Sequence, residues 1–96
     1  MADLDFELTF DEFQEWAQGQ GADEVLVREW AANHESEVHE HAFAAKAHVV
    51  RGEMWLNIDG STRQFIKGDN FEINSHVWHS EKYGPEGATF YIARFN

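Results

Sequence analysis

Residues 54–66 read Met54-Trp55-Leu56-Asn57-Ile58-Asp59-Gly60-Ser61-Thr62-Arg63-Gln64-Phe65-Ile66. Met54–Ile58 and Arg63–Ile66 are strand-like, and Asp59-Gly60 between them is a two-residue hairpin signal, because the favoured tight turns need positive φ. Working outward, Val25–Trp30, Ala47–Val50 and Thr89–Ala93 are further short runs of strand character. Arg51-Gly52, Gly68-Asp69-Asn70 and Tyr83-Gly84-Pro85-Glu86-Gly87 mark reversals between them. Seven or so short strands at this spacing predict an antiparallel all-β sandwich or barrel. In so short a chain, a barrel closed on itself deals best with exposed strand edges.

The chain begins with a different period. Thr9 followed by Glu12 is a capping box, and Phe10, Phe13, Trp16 and Ala17 then recur at helical spacing. Gly19-Gln20-Gly21 ends the run, so a short amphipathic helix is expected over residues 10–18, capping the barrel or packed on its outside. From Glu24 the period becomes two. The expected organisation is an amino-terminal segment, 1–22, carrying the helix, and a β-barrel over 23–96, one domain overall.

Composition restricts the partners. Seven Lys and Arg against eighteen Asp and Glu give a net charge of −11 in 96 residues. Nucleic acid and anionic membranes are therefore not expected partners, since both need a basic patch. At 43% hydrophobic and 15% aromatic residues the chain can still bury a core. No apolar run approaches the roughly 20 residues that span a bilayer. Met1-Ala2-Asp3-Leu4-Asp5 lacks a secretory n-region, so a cytoplasmic location is expected. The absence of cysteine excludes disulfides, thiolate ligands and Cys nucleophiles. There is no Gly-x-Ser-x-Gly elbow and no phosphate-cradling glycine loop before a helix.

Six histidines, at 34, 39, 41, 48, 76 and 79, are the main chemical resource. His39 and His41 are two apart, so on a strand both rings share one face. Two imidazoles rarely hold a metal ion alone, and His79, at the start of a later strand, is the best third candidate. Taken singly, each of these residues reads better as an ordinary surface or hydrogen-bonding histidine, and it is the spacing on to His79 that changes this.

The pattern around them resembles the cupin family over about residues 23–95. His39-Glu40-His41 followed by Gly52 is similar to the first cupin motif, G-x5-H-x-H-x3,4-E-x6-G, and Gly68 followed by His79 is similar to the second, G-x5-P-x-G-x2-H-x3-N. Fifteen residues, 53–67, separate the two. The departures are Asn33 for the first glycine, Ala45 (or Lys46) for the glutamate, Asn74 for proline, His76 for glycine and Tyr83 for asparagine. The resemblance implies a conical antiparallel barrel of jelly-roll type and a divalent metal (Fe, Mn, Ni, Zn or Cu) held by His39, His41 and His79. It also implies a glutamate ligand that this chain does not supply at position 45. By strand parity Ala45 and Ala47 share the inward face with the two histidines and leave room beside the metal.

His48 has the opposite parity to His41 and faces outward unless a bulge turns it in. His76 and Tyr83 are candidate catalytic or substrate-contacting groups near the barrel mouth, and His34 is expected in solvent. Glu35, Glu37 and Glu40 flank the histidines, as chance alone would place acids in so acidic a chain. Trp30, Trp55, Trp78, Phe71, Phe90 and Tyr91 are available to line an apolar lumen. Arg28 and Arg94 are polar strand residues that either meet a carboxylate of a ligand or lie along the surface.

With no other nucleophile system, chemistry would come from the metal: Lewis-acid polarisation, an activated water, or O₂ chemistry with a redox metal. The expectation is a metal-binding protein acting on a small organic molecule, with dioxygenase, isomerase and lyase activities all within the family's range. A non-catalytic ligand- or metal-sensing module and a metal-free acid/base enzyme are the alternatives. A homodimer is the expected assembly.

Overall fold

Two long bent strands, β2 and β5, organise the fold. The computed structural model describes residues 8–96, so the acidic start at Met1–Asp5 lies outside the described residues. The elements are α1 (Phe10–Gly19), β1 (Glu24–Trp30), β2 (Ala44–Ile58), β3 (Ser61–Ile66), β4 (Asn70–Ile73) and β5 (His79–Phe95). All strand pairings are antiparallel. None of the described helices is long and apolar enough to cross a membrane.

The expectation of seven or so short strands is corrected to five among the described residues. Ala47–Val50 and Met54–Ile58 belong to one strand, and Thr89–Ala93 is the end of the 17-residue β5. Arg51-Gly52 and the segment around Gly84–Gly87 are therefore bends within strands, not reversals. The pairing of β2 with β5 slips between Val49 and Arg51 and again between Gly52 and Met54. Bulges of this kind bend a strand without ending its ladder. The short β4 carried too little pattern to be read, and it is paired to the amino-terminal half of β2.

These bends divide the strands between two faces. The carboxy-terminal half of β5 lies between β1 and the amino-terminal half of β2, which in turn pairs with β4. The amino-terminal half of β5 pairs with the other half of β2, which continues into β3 through the Asp59-Gly60 hairpin. On its free side, this part of β5 is bridged by Glu35 to Lys82 and by His39 to His79. Val49, Met54, Leu56, Phe71, Tyr83 and Phe90 are among the side chains buried between the two faces.

The helix packs outside the barrel. Its capping box is formed as read: Thr9 Oγ1 accepts from Glu12 N and Glu12 Oε1 accepts from Thr9 N. Phe13 and Ala17 are buried against Ala93, beside Val25, Tyr91 and Phe95. Burial of Phe13 contributes about 1.5–3 kcal/mol to holding the helix there.

Two departures from the motif pattern fall at left-handed positions of the backbone. Asn33 (φ 59°) and His76 (φ 62°) stand where the family pattern has glycine, and both are left-handed. Asn and His are among the residues that tolerate this region best.

Candidate metal centre

His39, His41 and His79 converge because two loops are sewn together through their backbones. His39 N donates to His79 O and His79 N to His39 O, each at 2.9 Å, the closely spaced pair of an antiparallel bridge. His76 N donates to His41 O at 2.7 Å, which ties the left-handed turn before β5 to the far end of the same segment. The three rings then stand 4.4 Å (39–79), 4.8 Å (39–41) and 5.2 Å (41–79) apart at their centroids. One nitrogen from each lies within 4.8 Å of the others, close enough for one ion to draw them together.

Hydrogen bonds select the tautomer of two of the rings. His39 Nδ1 lies 2.7 Å from Glu37 O and His79 Nδ1 lies 2.8 Å from Val77 O, each a carbonyl two residues upstream. A carbonyl accepts only, so each Nδ1 carries a proton, and in the neutral ring each Nε2 keeps its lone pair. Such outer hydrogen bonds orient a ligating histidine and raise its basicity. His79 is 2% exposed, and its Nε2 is buried with no hydrogen-bond partner. A buried lone pair of this kind fits a metal ligand. The pKa of His41 is lowered, first by burial and then by the neighbouring His39 and His79, which favours the neutral, ligating ring.

The histidines border a small cavity of about 130 Å³, also lined by Arg28, Trp30, Ala45 and Glu81. Wider hollows of about 530 and 500 Å³ lie along β3–β4 and beneath the helix, but neither collects more than one histidine. The chemistry therefore favours the smaller space. Three buried polar atoms without a partner, His79 Nε2, Trp30 Nε1 and Arg94 Nε, belong to residues lining it.

The other sequence candidates are distributed around this centre. Arg28 does turn inward, its guanidinium 4.8 Å from the Trp30 ring, and no ion-pair partner of Arg28 is present among the described residues. Arg94 lies over Phe43 at 4.6 Å and pairs with Glu24 at 3.1 Å. His48 stays outside the cluster, bonded through Nδ1 to Asn70 Oδ1 at 2.7 Å. His76 bonds through Nδ1 to Glu40 Oε1 at 2.8 Å, its side chain 65% exposed and outside the cavity lining. His34 is exposed, yet stacked on Trp30. Tyr83 is buried, and its hydroxyl donates to Glu81 Oε1 at 3.1 Å. Its pKa is raised, first by burial and then by the Glu81 charge and this hydrogen bond, so it remains a phenol. Of the six aromatic residues named for the lumen, Trp30, Phe71 and Phe90 line it, whereas Trp78 is exposed, Trp55 borders a separate hollow and Tyr91 packs on the helix. Helical packing claims Tyr91 because α1 covers the outer face of β5.

Glu81, not Glu35, Glu37 or Glu40, is the carboxylate of this cavity. Its position two residues after His79 on a strand was the available signal, since that spacing puts both side chains on one face. Ala45 lines the cavity as parity required, and its methyl leaves the space beside the rings open.

No protein-family model matches the chain, and no curated protein matches it. Solved structures do. An RmlC-like cupin from Shewanella frigidimarina NCIMB 400 is 28% identical, with a TM-score of 0.63 over 75% of this chain and 66% of that one. The cupin domain of Schizosaccharomyces pombe Cnp3 is 19% identical, with a TM-score of 0.69 over 75% and 54%. A Bacillus subtilis oxalate decarboxylase described with Mn(II) centres is 23% identical, with a TM-score of 0.67 over 75% and 20%. The chain thus spans about half to two thirds of the first two proteins and a fifth of the third. The latter two likenesses concern the fold alone.

Proposed function

We propose that this small cupin domain holds one divalent transition-metal ion through the Nε2 atoms of His39 and His79 together with a ring nitrogen of His41, and acts on a small organic acid bound beside it. The observation that carries this reading is the His79 ring: its Nδ1 proton is committed to Val77 O while its buried Nε2 faces no donor. The donor set suits Fe, Mn, Ni, Zn or Cu and does not choose among them. When bound, such an ion supplies Lewis-acid polarisation, an activated water or O₂ chemistry.

The chain's own residues favour one substrate class. Arg28 is one of only seven cations in a chain with eighteen acids, yet it stands in the cavity without a carboxylate partner among the described residues. Arg94 Nε and Trp30 Nε1 are further donors without acceptors in residues of the same lining. Cations and unpaired donors around a space this small suit a carboxylate on a compact carbon skeleton.

Untagged protein is expected to carry close to one metal ion per chain by elemental analysis. Saturating the stripped protein should raise its stability by about 2.7 kcal/mol at a hundredfold excess over Kd. A chain that neither retains nor binds these metals ends the reading. Arg28→Leu should weaken binding of two- to five-carbon carboxylates to the metal-loaded protein roughly 10- to 100-fold, the value of a charge-assisted hydrogen bond. Equal affinity for a carboxylate and its neutral amide would exclude the acid as substrate. Binding without turnover, with and without oxygen, would favour the sensing module over the enzyme.

A further inference from the structure

We infer that Glu81 is the carboxylate of the metal centre, supplied from the strand that carries His79 in place of the one that Ala45 does not provide. The inference rests on the three-histidine reading and adds a fourth residue to it. Glu81 Oε2 lies 3.7 Å from His79 Nε2, within the range of an ion pair and beyond that of a hydrogen bond. Since the Nδ1 proton of His79 is committed to Val77 O, Nε2 presents a lone pair. In the neutral ring that ligates metal, a lone pair and a carboxylate facing each other across 3.7 Å, at side chains 0% and 12% exposed, repel each other until a cation bridges them. The same two groups are what a divalent ion draws together.

The rest of Glu81 is held for that purpose. Its backbone is fixed on both sides by Ser36, whose N donates to Glu81 O and whose Oγ accepts from Glu81 N, each at 2.9 Å. Its other oxygen, Oε1, accepts the Tyr83 hydroxyl at 3.1 Å, leaving Oε2 for the cavity. Tyr83 is a positioning residue here, buried against Trp30 with the rings stacked at 5.3 Å. The two Glu81 oxygens thus have different tasks. One is anchored in the core, and the other faces His79 Nε2.

The test uses Co(II) and Mn(II) as probes on the full chain. Glu81→Gln keeps the side chain's shape and its acceptor for Tyr83 but removes the charge. It is expected to weaken Co(II) and Mn(II) binding about 10- to 100-fold and to change the Co(II) ligand-field spectrum, with thermal unfolding of the metal-free protein near wild type. Returning a carboxylate from the opposite wall, in the Ala45→Glu, Glu81→Gln double variant, should recover part of the lost affinity. Unchanged affinity and an unchanged Co(II) spectrum in Glu81→Gln, while His39→Ala loses the metal, would overturn the role of Glu81 and leave the three-histidine site standing. A wild-type chain that binds neither ion overturns both. If Glu81→Gln fails to fold, Tyr83→Phe serves instead: a shifted Co(II) spectrum supports the anchored carboxylate, and an unshifted one counts against it.

Discussion

His79→Ala protein is expected to lose tight metal binding, its affinity falling by roughly two to three orders of magnitude. Apparent binding free energies of about 10–16 kcal/mol for four-ligand zinc sites correspond to about 2.5–4 kcal/mol per ligand, or roughly 10²–10³ in Kd. The loss at His79 should lie at the upper end. Its side chain is fully buried and fixed by Val77 O, so no neighbouring group swings in to replace it. His39→Ala is the companion variant, because His39 is only partly buried and its removal disturbs the core less. Equilibrium dialysis against a competing chelator measures both. Wild-type affinity and stoichiometry in the two variants together would dismiss the three-histidine site.

The second large effect concerns the bend that brings the two faces together. Gly52 has φ 77°, and a Cβ placed there would meet the Gly87 carbonyl oxygen and approach Ala88 Cα to 2.9 Å. Both obstacles are backbone, so the strain cannot be relieved by a rotamer change. Gly52→Ala is expected to cost about 1–2 kcal/mol for the left-handed conformation and a further 1–3 kcal/mol or so for the overlap. At about 4–8 °C per kcal/mol for a domain of this size, the melting temperature should fall by roughly 8–40 °C. Gly68→Ala separates the two contributions. Its φ is 94°, but nothing lies within 4 Å of the added methyl, so only the conformational cost applies. Thermal unfolding followed by circular dichroism reads both. Equal, small shifts in the two variants would show that β2 and β5 do not need their close approach.

That bend also explains where sequence reading succeeded and where it did not. The Asp59-Gly60 hairpin, the helix with its Thr9–Glu12 capping box, and the inward parity of Ala45 and Ala47 are local features, each fixed within a few residues of chain. Gly52 and the Gly84–Gly87 segment were equally visible as turn-forming residues. Whether such glycines end a strand or bend it depends on what lies opposite. Here each faces the other's strand, and the ladder continues through both. The inward placement of Arg28 agrees with its parity with Leu26 and Trp30, although a surface position was the safer reading of the sequence.

The centre divides in the same way. The alternation of His39 and His41, and the cupin-like spacing on to Gly52 and from Gly68 to His79, set out three candidate ligands in the sequence alone. Glu81 was less accessible. In a chain with eighteen acids no carboxylate stands out by type, and Glu35, Glu37 and Glu40 lie nearer the first two histidines in the chain. Only the pairing of His39 with His79 brings the face carrying His79 and Glu81 against the other two rings. Likewise, the tautomers of His39 and His79 depend on carbonyls whose direction is set by the folded loops. Residue type and spacing along the chain are local and periodic, and they determined the β architecture, the helix and the histidine pattern. Which carboxylate, which arginine and which lone pair meet in the cavity are relations across the barrel, and those the tertiary structure alone decided.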